Sequence, residues 1–454
     1  MRIPFTCVLA VWSCLIVFHP NHGTAQSYTR SVDIEPNSTI VFLGDSITYQ
    51  AHYSEYVRSF FDTRYPQNRI RFINSGIPGH RAADAVVRFE QDVASWKPDV
   101  VLIFFGMNDG GYQSLDTESR LLDYQSNMRT LLNRISAMNA EPVLLSPTPF
   151  DFLTSELRQQ DEHYRFKGKD FASDYDLALG YYAGWCRQLA TETGIAFVNY
   201  HSVMNDYIYI KRLSIPTFTL MPDAIHPDPA GHLMMAHTLL KRLAPTRDQV
   251  FRLDLRRTNT DWNVDAQQIA TRNLQGDASR VSFDCQLQSL PWRIPEKHTL
   301  MQLRWDNPSN ATEMENHLAL ESSINLASLR IHGLNQGIYE LECDGLKCGR
   351  FDQTSLANGI NLDRLRELPW SQQSDEIARL NRQISDEIVR PIQDIATRRY
   401  RLLAKDANEL KKFDQANREK IDQLEQNRDE LREKIRTQST PLWHKITISR
   451  IDKD

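Results

Sequence analysis

From Ile40 to about Leu243 the chain alternates short apolar runs with longer stretches whose apolar positions recur every three to four residues. The short runs are "TIVFLG", "IRFINSG", "DVVLIFFG", "EPVLLSPT" and "IAFVNY". They are rich in β-branched and aromatic residues and apolar on both alternating sets. That pattern predicts strands buried on both faces, as in a parallel sheet. Between them lie "AHYSEYVRSFFDTRY", "AADAVVRFEQDVASW", "YQSNMRTLLNRISAMN" and "YDLALGYYAGWCRQLATETG", which predict helices; Leu131, Ile135 and Met138 keep helical spacing. Strands alternating with helices predict a doubly wound α/β domain over residues 39–245.

The texture changes after residue 245. "VFRLDLR", "RVSFDCQL", "SLRIHGL", "GIYELECDG" and "KCGRFDQ" are short strands, several with turn signals between them, and predict a β-sandwich over 246–361. Residues 362–440 read as helical and charged. Between Ser371 and Arg436 there are 15 Lys/Arg and 14 Asp/Glu, so the segment is near neutral, and the mixed signs predict solvated helix faces. Leu410, Leu424 and Leu431, with Ile421 and Ile435, fall on heptad-like spacing and need an apolar partner, either a helical neighbour or a second copy of the chain. Self-association through this segment is therefore one expectation. Pro391 predicts a break or a kink. The closing "HKITISRI", within 441–454, alternates like a strand, which would return the chain to the sandwich and make the helices an insertion.

Bulk properties narrow the function classes. A length of 454 residues argues for two or three domains. A net charge of −5 argues against non-specific nucleic-acid binding, which needs a basic footprint. The N-terminal text has a basic Arg2, an apolar stretch from about Ile3 to Phe18 and small residues before Gln26. It predicts a secretory signal, residues 1–25, cleaved near Ala25, and so an exported, periplasmic or extracellular protein. No later stretch is long and apolar enough to span a bilayer. Past that signal four cysteines remain. Cys343 and Cys348 flank the turn text "DGLK", and the sequence leaves open whether they bond or pack as two thiols. Asn37 and Asn310 lie in N-x-S/T sequons, which matter in a glycosylating host.

In doubly wound sheets ligands bind at the carboxyl ends of the strands, so chemistry is sought there. The first strand ends in Gly44-Asp45-Ser46, the second in "NSGIPG" with Gly76 and Gly79, and the third in "GMNDGG" with Asn108 and Asp109. Beyond the last strand comes "MPDAIHPDPAGH" with Asp223 and His226. Together these hold the parts of an acyl-transfer site. Ser46 is the candidate nucleophile, at a helix start where backbone N–H groups face an anion. His226 is the candidate base, and Asp223 would hold its tautomer and stabilise the imidazolium. The backbone N–H groups of Ser46 and Gly76 and the Asn108 amide are the candidate oxyanion donors. Gly76 is expected to be glycine so that substrate can approach its N–H.

This set resembles the SGNH hydrolases, or GDSL-type esterases. Ser46, Gly76, Asn108 and His226 stand at the four marker positions, in "FLGDSIT", "NSGIPGHRAAD", "GMND" and "DAIHP". The resemblance covers about residues 39–243 and implies a flavodoxin-like sheet and hydrolysis of esters without a metal or other cofactor. The text "LRIHGLNQGIYELECDG…GRFDQTSLANGINL" looks, more loosely, like an accessory sandwich attached to some bacterial members. Other candidates have plainer readings. Asp45 reads as a turn and cap residue and Asp109 as an organiser of the Asn108 loop, supporting roles. A metal site from Asp45, Asp109, Asp223 and His226 is disfavoured, because hydrolytic zinc sites use His-rich sets. His232 and His237 read as structural, His80 and Arg81 as surface residues, and Trp292 as buried packing. The expectation is an exported serine esterase acting on small acyl esters, such as acetyl groups on polysaccharides. A lipase or thioesterase, or a catalytically idle carbohydrate-binding or scaffolding protein, stand as alternatives. The helical insertion carries none of the motifs and is expected to be dispensable for hydrolysis of a small ester.

Overall fold

The structure is a computed structural model, and it describes residues 30–243, 249–259, 261–294, 311–403 and 406–451. The expected signal segment and the Asn310 sequon lie outside the described residues. Five strands, β1 (Thr39–Gly44), β2 (Arg71–Gly76), β3 (Val100–Phe104), β4 (Glu141–Leu145) and β5 (Ala196–Val198), pair in parallel in the order β2-β1-β3-β4-β5. This is the flavodoxin-like doubly wound order, whose ligand crevice lies where the strand order reverses, between β1 and β3. Register carries the strand ends to one level. Gly44 is opposite Gly76 on β2 and opposite Phe104 on β3.

Helices α1 (Ser46–Tyr49), α2 (His52–Arg64), α3 (Ala82–Asp92), α4 (Arg120–Ala137), α5 (Phe152–Arg158), α6 (Tyr175–Thr193), α7 (Tyr200–Arg212) and α8 (Pro229–Leu243) cover the sheet. One core layer joins Ile40, Phe42, Leu102 and Phe104 to α2 and α8; the other joins Val41, Leu43, Val101 and Ile103 to α3, α4 and α6. Alternate residues of each strand thus face opposite layers, which is why these runs are apolar throughout.

The C-terminal half adds β6 (Gln249–Arg257), β7 (Trp262–Gln267), β8 (Ile269–Gly276), β9 (Arg280–Leu287), α9 (Ala311–His317), β10 (Leu326–His332), β11 (Ile338–Cys343), β12 (Leu346–Asp352), α10 (Gln353–Asn358) and β13 (Ile360–Asn361). Then come α11 (Pro369–Ile384), α12 (Arg390–Leu403), α13 (Ala407–Gln438) and β14 (Trp443–Ile451). Two sheets form, β13-β10-β6-β7 and β12-β11-β14-β9-β8, and their facing apolar residues share one core. This is a β-sandwich carrying a helical insertion. The closing strand β14 does more than close an edge: it sits between β11 and β9, in the middle of its sheet. The strands β7 and β8 escape a reading by apolar pattern because β7 is exposed along almost its whole length. Cys343 and Cys348 are not bonded to each other. Cys343 pairs across the hairpin with Leu346, so the two cysteines are not cross-strand partners, and both lie in the core.

The charged helices depart from expectation. Every residue of α2 is buried, including Glu55, Arg58, Asp62 and Arg64. Its polar face meets the insertion instead of water. Asp62 is paired with Arg432 of α13 at 2.6 and 2.8 Å and accepts from Asn381 of α11 at 2.9 Å. Arg58 donates to Asn381 and to Ser385, and Arg382 lies 3.5 Å from Glu55. Charges removed from water need partners, so part of the apparent surface charge of 371–436 is matched to the α/β half. Two of the heptad-like positions are covered within the chain: Leu431 and Ile435 pack into the sandwich core with Trp370, Ile377 and Ile384 of α11, and Leu424 packs against its edge. As expected near Pro391, the α-helix is interrupted, although the chain stays helical. Pro391 follows a π-helical turn, Ser385–Val389, that joins α11 to α12. A proline lacks the N–H that the preceding turn would use, and the wider turn accommodates its ring.

Candidate active site

Ser46 follows β1 directly and opens α1. Asp45 caps that turn, its Oδ1 accepting from the Ile47 N–H at 2.9 Å. The turn is tight. A Cβ on Gly44 would lie 2.1 Å from Thr48 Oγ1, and one on Gly76 would lie 2.3 Å from Tyr49 N and 2.6 Å from Thr48 C. Gly76 is therefore glycine because β2 touches the backbone of the helix that carries Ser46. Approach of substrate, the expected reason, is not what the geometry requires.

Asp223 and His226 are set by one compact turn. Asp223 Oδ1 accepts from the Ile225 and His226 N–H groups at 3.0 and 2.7 Å, and Ala224 takes φ +76° to allow it. A non-glycine residue there is strained, and the side-chain acceptor offsets that strain. Asp223 Oδ2 lies 2.8 Å from His226 Nδ1, and His226 Nε2 lies 2.8 Å from Ser46 Oγ. With Nδ1–H donating to the carboxylate, Nε2 is the acceptor and Ser46 the donor. Burial by itself lowers the His226 pKa; the charge and hydrogen bond of Asp223 outweigh it, and the net direction is up. Burial raises the Asp223 pKa, but His226 and two backbone donors bring it below the usual carboxylate value.

Asn108 follows β3. Its Nδ2 donates to the His80 carbonyl at 3.0 Å and lies 3.4 Å from Asp45 Oδ2, while Tyr112 Oη donates to its Oδ1 at 3.0 Å. Tyr112 and the His80 carbonyl together fix the orientation of the amide. Asp109 organises that loop, accepting from Gly106 N at 3.0 Å and Ala82 N at 2.9 Å. Burial pushes Asp45 up to about 6 and Asp109 up to about 7.

The Gly76 N–H is engaged: it donates to Asn74 Oδ1 at 3.0 Å. Asn74 in turn accepts from Gln393 Nε2 of α12 at 2.5 Å. Several residues of this framework carry no motif. Arg88, 5% exposed, donates to the Gly44 and Ser75 carbonyls at 3.0 and 2.9 Å and ties the two strand ends together. Its Nε also donates to His80 Nδ1 at 3.1 Å. His80 is therefore no surface residue; burial, with Arg88 beside it, lowers its pKa to about 4 and keeps it a neutral acceptor. The Tyr400 ring of α12 stands 4.1 Å from the His80 ring, and Tyr400 Oη donates to Asp84 at 2.8 Å. Arg81 is exposed, as expected. An arginine in the sequence of a helix gives no sign that it will bridge two strand ends, and residues over 300 positions away give none at all.

The other singled-out residues are structural. His232 is buried and its Nε2 is 2.8 Å from Gln50; His237 is buried, which lowers its pKa to about 4. Trp292, 2% exposed, donates to the Tyr56 carbonyl. Among the described residues the one group with ligand atoms close enough for a metal is Cys343, Asp344 and His444, in the sandwich. There His444 Nδ1 is already 2.7 Å from Asp344, and burial raises the Cys343 pKa, which disfavours the thiolate a metal prefers.

Residues 42–234 match the GDSL-like lipase/acylhydrolase family. The chain carries a GDSL-like lipase/acylhydrolase domain. It is a carboxylic ester hydrolase. The esterase is similar to an acetylxylan esterase from Geobacillus stearothermophilus, 27% identical over 224 residues, which cover 45% of this chain and 93% of that one. A crystal structure of that acetylxylan esterase aligns at 24% identity and TM-score 0.38, over 47% of this chain and 97% of that one. The structure of a gut microbial diltiazem-metabolizing enzyme aligns at TM-score 0.79 and 24% identity, over 93% of this chain and all of that one. The esterase therefore shares its fold, sandwich and insertion included, with a solved structure. Among the described residues no helix is long and apolar enough to cross a membrane.

Proposed function

We propose that the esterase removes small acyl groups, acetyl above all, from carbohydrate esters, with Ser46 as nucleophile, His226 as general base and acid, and Asp223 as the group orienting His226. The observation that carries the reading is the unbroken chain of 2.8 Å contacts from Ser46 Oγ through His226 to Asp223. The acetyl and carbohydrate parts are supported by the kinship with the acetylxylan esterase.

In this reading Ser46 Oγ attacks the ester carbonyl as its proton passes to His226 Nε2. The imidazolium forms beside Asp223, which is already ionised. The carbonyl oxygen becomes an oxyanion, met by the Ser46 N–H, the Gly76 N–H and Asn108 Nδ2. Collapse breaks the bond to the alkoxide, which takes the proton from His226 and leaves as the alcohol. Water then gives a proton to His226 and its hydroxyl to the acyl-enzyme, releasing the acid and restoring Ser46. Gly76 enters this scheme by turning its N–H from Asn74 Oδ1 or by sharing it between the two acceptors. The N-terminal signal pattern supports export as the setting for such a substrate.

The test is a panel of p-nitrophenyl esters of increasing acyl length together with acetylated xylo-oligosaccharides, assayed with the wild type and Ser46→Ala. Acetate release from the oligosaccharides and a steep decline beyond short acyl chains are expected. Turnover of long acyl esters without acetate release from any glycan would sink the substrate assignment. A fluorophosphonate should label the wild type at Ser46 and leave the variant unlabelled.

A further inference from the structure

Between the edge strand β2 and the insertion helices α12 and α13 lies a cavity of about 370 Å³. Neither Ser46 nor His226 lines it, while Asn74 and Gly76 form part of its wall. Its accessible wall is mostly apolar, with Phe72, Ile77 and Trp96 from the α/β half and Ile392, Ile395 and Ile421 from the insertion, and polar residues complete the lining. It reaches the surface beside Gln91 and Ser95, both exposed. Volume and lining fall in the range of small-molecule sites.

One polar group in it is unmatched. Gln393 is 2% exposed, and its Oε1 has no hydrogen-bond partner. The amide orientation is set, because Nε2 donates to Asn74 Oδ1 and lies 3.4 Å from the Gly76 carbonyl, both acceptors. Oε1 is therefore a buried acceptor lacking a donor, a feature that native interiors rarely leave without a reason. The charged groups around the cavity are, by contrast, matched. Arg399 pairs with Asp414 at 2.8 Å, Asp92 with Arg88 at 2.8 Å, and Arg428 with Glu425. An ionic ligand would find no free counter-charge among these groups.

We propose that this cavity is a second, non-catalytic ligand site for an uncharged, largely apolar small molecule that donates a hydrogen bond to Gln393 Oε1. The site sits at the junction of the two halves of the molecule, with Asn74 and Gly76 in its wall. A ligand there bears on the donor side of the active site without entering it.

The probe is N-phenyl-1-naphthylamine, an uncharged two-ring amine with one N–H, whose fluorescence rises in apolar surroundings. It is titrated into the full-length esterase. Saturable enhancement from a single class of site is expected. The cavity mouth can be blocked after folding by Ser95→Cys treated with N-cyclohexylmaleimide. The labelling uses the chain from Gln26 on, which lacks Cys7 and Cys14; the other native cysteines, Cys186, Cys285, Cys343 and Cys348, are all buried and should be spared. Blocking should weaken probe binding by about tenfold or more, and unblocked Ser95→Cys should bind like the wild type. Gln393→Met, which keeps the shape and removes the acceptor, should also weaken binding. During p-nitrophenyl acetate hydrolysis the probe should not raise KM competitively. Absence of saturable binding, equal binding to the blocked chain, indifference to Gln393→Met, or competition with the ester would each overturn the proposal.

Discussion

The two sides of the proposed active site are built on different scales. On the proton-transfer side, Asp223 and His226 are three residues apart, and their mutual geometry follows from one turn, the backbone donors inside it and the φ of Ala224. On the oxyanion side, Gly76 and Asn108 depend on residues scattered through the chain: Asn74, His80 and Arg88 nearby, and Gln393 and Tyr400 more than 300 positions on. A local turn can be read as a motif and moved between proteins as a unit. A donor set held by a distant helix is tied to the docking of that helix. The difference explains why the charged insertion is no detachable ornament: α11 and α13 supply the polar partners of a fully buried α2, and α12 backs the strand end that carries Gly76.

The largest effect should come from the local side. Ser46→Ala and His226→Ala should each lower kcat for p-nitrophenyl acetate by about 10⁴-fold or more, with the melting temperature close to that of the wild type. A folded Ser46→Ala variant that keeps near-wild-type turnover would remove the nucleophile assignment.

Next is the donor side. Asn108→Ala should lower kcat by about 10²–10³-fold with a much smaller change in KM, as expected of a donor that matters most in the transition state. A change confined to KM would place Asn108 in ground-state binding and remove it from the proposed oxyanion donors.

The long-range dependence is tested by stability. Asp62→Ala leaves Arg432 without its carboxylate in a largely buried setting, and chemical denaturation should show a loss of about 3 kcal/mol. A loss below about 0.5 kcal/mol would mean that the pair behaves as an exposed one and that the insertion is held by its apolar contacts alone. Deletion of 365–440 with β14 retained should fail to give a folded enzyme, because it uncovers α2 and removes Trp370, Ile377 and Ile384 from the sandwich core. A folded deletion with full small-ester turnover would restore the simpler division suggested by the charge pattern.

The smallest effect sharpens the local side. His226 must be neutral to accept the Ser46 proton, and its pKa is raised in the folded protein by Asp223. Protonated His226 is therefore favoured to higher pH than a free imidazole, and kcat/KM should climb with a midpoint above 6.5. A midpoint at or below that value would mean that burial, which acts in the opposite direction, outweighs the carboxylate.

The α/β strands were legible because each is buried on both faces, and burial on both faces leaves a continuous apolar run. The candidate residues just after β1, just after β3 and in the 223–226 turn could be picked out because each sits on a short segment whose residue types the proposed chemistry requires. The same reading placed the charges of 371–436 in water, because mixed charge at helical spacing looks the same whether it faces solvent or a matching set of charges. Only docking tells Arg432 on Asp62 from a solvated arginine. The role of Gly76 shows the same limit: the sequence marks a position where a side chain is not tolerated, while the obstacle, the backbone at Thr48 and Tyr49, becomes visible when β2 and α1 are brought together. What the sequence determined by itself was the local geometry, since hydrogen bonds across two or three residues and the periodicity of burial are written within a few neighbouring positions. What the tertiary structure decided was which polar groups find partners at a distance — Asp62, Arg88, His80, Asn74 and Gln393 — because that depends on which surfaces meet.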